Sequence, residues 1–141
     1  MKRLLFLVAC TAMATAACGG AAASTPSPTV NVGSRPSTPV KITLVSPTNG
    51  EVVHGNSVHV AVTVTGGTIS RITSSHITST VGHVHLFFNN ELVYMSYTLH
   101  QDLPVQPGLQ YTMRAEFVAQ DHFPFTPRDV TPTIFFSVAP S

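Results

Sequence analysis

Cysteine, tryptophan and charge are what this 141-residue chain has little of. Only 9% of residues are charged, tryptophan is absent, and there are two cysteines. Seven basic residues face six acidic ones, so no basic footprint exists for a nucleic acid. Hydrophobic residues make up 43%, enough for a core and too many for a charge-rich disordered chain. No stretch combines a helical period with capping residues, and eleven prolines disfavour a helical bundle. Enzyme signatures are missing too. The chain holds no G-x-S-x-G, no Walker loop and no H-E-x-x-H. Its six carboxylates form no pair that spacing would place for acid–base work. The expectation is a non-catalytic protein.

What is present starts with an address. Lys2 and Arg3 precede an apolar run over residues 4–17. At 14 residues it is shorter than the roughly 20 that span a bilayer, and it fits a cleaved signal peptide over 1–17. Small residues then lead into Cys18-Gly19-Gly20. This segment resembles the lipobox of bacterial lipoproteins, which implies acylation of Cys18 and lipid attachment to a membrane on its extracytoplasmic or periplasmic side. Leu7-Val8-Ala9-Cys10 fits the same consensus but leaves too short an export segment. Ordinary secretion, with cleavage near Ala17, is the alternative. With Cys10 removed and Cys18 acylated, no thiol remains for a disulfide or a metal. Without Lys2 and Arg3, five basic residues face six acidic ones, a formal charge of −1.

Residues 18–40 hold Pro26, Pro28, Pro36 and Pro39 among serines and threonines. Such a stretch cannot bury enough apolar surface to offset chain entropy, so it reads as a disordered tether.

Residues 41–141 read as strands. Val58, Val60, Val62 and Val64 alternate with polar or small residues, as do Val84, Leu86 and Phe88, and Met113, Ala115, Phe117 and Ala119. Asn89-Asn90 suits a tight hairpin with positive φ. Residues 68–81 are either a loop or a ragged strand, and 120–130 reads as a loop. About seven short strands separated by turns give an all-β fold, an antiparallel β-sandwich. Ser46-Pro47-Thr48-Asn49-Gly50 and Pro107-Gly108-Leu109-Gln110-Tyr111 resemble segments of bacterial Ig-like and fibronectin-III-like modules, which implies that fold and no activity. Gly82-His83-Val84-His85-Leu86, Pro107-Gly108 and Asp121-His122 together resemble a family of small exported bacterial proteins of unknown function. A further histidine of that family corresponds loosely to His100.

The seven histidines are the chemistry on offer. His83 and His85, two apart on a strand, face the same side. In an Ig-like order, strands B (57–65), C (83–88), F (110–119) and G (133–138) place the B–C and F–G loops at one end. That gathers His76, His83, His85, Asp121 and His122 there, with His54 at the other end and His59 outward. His83, His85 and His122 are the candidate ligands of Cu(II) or Zn(II), with His76 or Asp121 as an extra ligand. In being Ig-like, exported and histidine-ligated the chain is similar to periplasmic copper-resistance proteins of the CopC type, but their mature N-terminal histidine is missing, which counts against a copy of their site. Alternatively these histidines are structural or interfacial, His83 and His85 lying with Phe87 on the less buried face. Phe123 and Phe125 flank Pro124 and are either a partner-binding tip or a cover over the core. Two functions stand at this point. One is a membrane-tethered accessory module that binds an unknown protein or envelope polymer. The other is a histidine-ligated copper or zinc protein.

Overall fold

The computed structural model describes residues 34–141; the expected signal peptide, Cys18 and the expected tether up to residue 33 lie outside them. Alternating Ile42 and Leu44 make β1 (Lys41–Ser46) and alternating valines make β3 (Ser57–Thr65), which pair antiparallel. β7 (His100–Pro104) covers the other edge of β3, completing a three-stranded sheet. The second sheet is built around β5 (Val81–Phe88) and β8 (Gln110–Ala119), paired antiparallel along seven registered positions. The far edge of β5 carries β4 (Thr68–Ile69) at one end and β6 (Glu91–Ser96) at the other. On the outer edge of β8, β9 (Pro124–Val130) and β10 (Ile134–Val138) follow one another, and β2 (Glu51–Val53) joins β10 in parallel. In the Ig-like scheme, β1, β3 and β7 are A, B and E, while β5, β6, β8 and β9–β10 are C, C′, F and a broken G.

The two sheets close on one core. Val58, Val60 and Val62 from β3 meet Val84, Leu86 and Phe88 from β5 and Met113, Ala115 and Phe117 from β8. These are the period-two positions expected to face inward. At the β5–β6 turn Asn89 and Asn90 have φ of 50° and 69°, the positive values a primed turn needs.

Three expectations change. Residues 120–130 are mostly strand: Pro124 and Pro127 signal a loop in the sequence, but β9 is an edge strand, where a missing N–H is tolerated. The expected tether does not reach residue 40. Val40 is fully buried in the core, and Thr126 N–H donates to Pro36 O at 3.1 Å. The domain therefore starts by residue 35, because prolines here shape a strap that has partners to bind. Finally, the outward side of β5 is not the less buried one. His83 and His85 are only 1% and 6% exposed.

Candidate metal centre

Side chains on β5 alternate between two environments. Val84, Leu86 and Phe88 enter the core, and His83, His85 and Phe87 point to the opposite side of the sheet. Gly82 sets how closely this end of β5 lies against β8. A Cβ there would stand 1.9 Å from the Val118 carbonyl oxygen, so no larger residue fits. The outer side is roofed rather than open. Residues 70–77, part of the B–C connection, cross it and are tied to the F–G turn: Ser74 N–H donates to Gln120 O, and Gln120 Nε2 donates to Ser70 Oγ and Ile72 O. Tyr97 packs its ring 5.2 Å from that of His83 and in turn lies beneath Arg71.

Under this roof three histidines meet. The Nε2 atoms of His83 and His85 are 3.1 Å apart. His122 comes from the β8–β9 turn with a φ of 68°, and its ring lies 4.5 Å from His83 and 6.1 Å from His85. One donor atom from each of the three lies within 4.8 Å of the others. His122 Nε2 lies 3.2 Å from Thr73 Oγ, while its Nδ1 is buried without any hydrogen-bond partner. In the tautomer whose Nε2–H donates to Thr73, that Nδ1, unpartnered among the described residues, carries a free lone pair. A buried polar atom left unpaired is costly, and a cation is the natural complement to a lone pair.

Electrostatics favour the neutral, ligating form. Burial, reinforced by the charges His85 and His122 would carry, pushes His83 down to about 4, against a weaker opposing pull from Asp121. Burial likewise lowers His85, followed by the His122 charge, with Glu116 opposing. Both are therefore uncharged near neutral pH.

Two carboxylates adjoin the histidines, and each is occupied. Glu116 sits opposite His85 in register, is buried, and takes two hydrogen bonds from Arg128 of β9. Asp121 is gripped bidentately by Arg35, which holds its carboxyl below the ordinary range. Asp121 is thus not free to act as an extra ligand. His76 is also outside the cluster: it is exposed, its backbone bound to Ser74 Oγ. His59 pairs with Asp102 on the outer side of the first sheet and stacks on His100, both remote from this site in the fold.

The two phenylalanines separate. Phe123 is 61% exposed, with the Arg35 guanidinium 5.8 Å from its ring centre. Phe125 is fully buried and stacks on Phe117 at 5.8 Å, so it is a core residue and not part of a recognition tip. Met113 is buried in the core, away from the cluster, while Met95 is partly exposed on β6, opposite His85 in register.

Sequence reasoning missed Arg35, Thr73 and the Glu116–Arg128 pair. Only Glu116 left a trace, as a carboxylate in the outward phase of a strand whose outward neighbour is Val118.

No protein-family model matches the chain, and no curated protein matches it. Among solved structures, it is similar to the fibronectin(III)-like modules of Clostridium thermocellum CbhA, at 20% identity and a TM-score of 0.49, covering 70% of this chain and 94% of that one. The sandwich assignment rests on the strand order and pairing described above.

Proposed function

We propose that the chain is an exported, lipid-anchored, non-catalytic module that binds one Zn(II) or Cu(II) ion through His83, His85 and His122. The observation that carries this reading is the convergence of three imidazoles whose ring nitrogens come within 4.8 Å of one another, one of them His122, whose buried Nδ1 has no partner among the described residues. An all-nitrogen set of borderline donors suits these two ions, and the absence of thiolate disfavours Cu(I). Metal–nitrogen bonds of about 2.0–2.1 Å place tetrahedral donors about 3.3 Å apart. The His83–His85 separation of 3.1 Å already meets that, so only His122 has to close in. Both Nε2 atoms would have to present lone pairs to the ion, so the histidine that donates in the Nε2–Nε2 hydrogen bond would carry its proton on Nδ1 instead.

The non-catalytic part of the reading has its own support. Glu116 and Asp121, the acids beside the cluster, are both engaged by arginines, so neither is a free carboxylate base. The anchor is carried by Cys18 and the lipobox-like residues before it. Exposed Phe123 is the candidate contact for a protein or envelope partner.

Elemental analysis of the purified full-length chain tests the metal: one zinc or copper per chain, lost in a His83→Ala/His85→Ala variant, supports it. A metal-free protein whose melting is unmoved by either ion refutes it. For the anchor, Cys18→Ser should release the chain from the membrane fraction; unchanged retention would contradict acylation there.

A further inference from the structure

We infer that Arg35 is a positioning residue for the metal site, and that through it the strap leading into the domain regulates metal affinity; this rests on the metal reading above. His83 and His85 stand on a central strand locked between neighbours, but His122 stands on a turn. Its backbone is held in a left-handed conformation that a non-glycine residue seldom adopts. The turn's own bonds are few: His122 N–H to Ala119 O, Ala119 N–H to Phe123 O, and Phe123 N–H to Asp121 Oδ1. Residues 70–74 hold its Gln120 end, with Thr73 beside the His122 ring, and its Asp121–Pro124 end is held from 86 residues upstream in sequence. Arg35 donates to both carboxylate oxygens of Asp121, to Phe123 O at 2.9 Å and to Pro124 O at 3.0 Å. It therefore grips the residues immediately before and after His122. Pro36 adds a backbone bond to Thr126.

The consequence follows from linkage. The two fixed imidazoles supply a preset pair, and the third ligand closes the site only where the turn is held. A latched strap prepays that ordering and raises affinity; a released one leaves it to be met on binding. Coupling is reciprocal, so metal binding tightens the latch by the same factor. The strap joins the domain to the segment expected to tether it, so a pull on that segment would act on the metal.

The test uses the full-length chain in detergent, wild type, Arg35→Ala and Arg35→Lys, with Zn(II) affinity measured by competition against a chromophoric chelator. Arg35→Ala should weaken zinc binding about tenfold. Arg35→Lys, which retains the charge but loses the planar fork, should weaken it in the same direction. Zinc added to wild type should slow exchange of the Arg35 Nε–H, a response that a merely structural clamp would not give. Stoichiometric zinc bound within twofold of wild-type affinity by Arg35→Lys, with Arg35 exchange unmoved by metal, overturns the latch while leaving the site intact. Absence of zinc binding in wild type overturns the site, and the latch with it.

Discussion

A Cβ on Gly82 would overlap the carbonyl oxygen of Val118 at 1.9 Å, one residue before His83. Backbone cannot retreat there without separating β5 from β8, the pair that carries His83, His85 and Glu116. Gly82→Ala should therefore destabilise the fold by about 2 kcal/mol or more, the range of severe overpacking. Urea unfolding followed by circular dichroism measures it; a change below about 0.5 kcal/mol would show that the strands separate easily.

Glu116 and Arg128 give a second expectation. Glu116 is almost wholly buried and Arg128 is its partner, half exposed on β9. Removing Arg128 leaves a buried carboxylate unpaired, which costs roughly 3–5 kcal/mol in such settings. Arg128→Ala should fall toward the lower end, since water reaches the vacated guanidinium position. Adding Glu116→Gln should restore part of the loss. Equal stabilities for the single and double variants would contradict the pairing.

The strands of the core were legible because period-two alternation is a direct consequence of a sheet with one buried face. Val58 to Val64 and Met113 to Ala119 show it, and their inward sides match the core. Connectivity then placed His83, His85 and His122 at one end of the sandwich, because the B–C and F–G loops share that end in any such topology. What could not be read was the roof. Alternation says which side a residue faces, not whether that side is covered, so His83 looked half-exposed until residues 70–77 and Tyr97 were in place. Long-range polar partners are equally silent in sequence. Nothing near Arg35 announces Asp121, and Pro124 and Pro127 concealed an edge strand.

Phe123 and Phe125 should respond oppositely to truncation. Phe125 stacks on Phe117 in the core, so Phe125→Ala should cost about 3–5 kcal/mol. Phe123 is mostly exposed, and Phe123→Ala should change stability by less than about 1 kcal/mol, chiefly through its contact with Arg35. Chemical denaturation of both variants decides it; comparable losses would contradict the assignment.

Acid should weaken the apo-protein through His83. Its folded-state value of about 4 lies below the unfolded 6.5, so the unfolded chain takes up the proton first as pH falls. Stability from this group is complete above about pH 6.5 and declines to its minimum near pH 4, by on the order of 3 kcal/mol. His85, lowered for the same reason, acts in the same sense. Unfolding free energies at pH 7.5, 5.5 and 4.5 should fall steadily in wild type and less steeply in His83→Gln. Stability rising toward pH 5 would contradict neutral, buried imidazoles.

The most direct measurement is X-ray absorption at the metal edge on the full-length chain loaded with Zn(II), comparing wild type with His122→Asn, a substitution that tolerates the left-handed backbone at this position. Three imidazole nitrogens at about 2.0 Å around one ion in wild type, and two in the variant, are the predicted result. No bound ion, or the same spectrum from both proteins, would contradict a centre built from His83, His85 and His122.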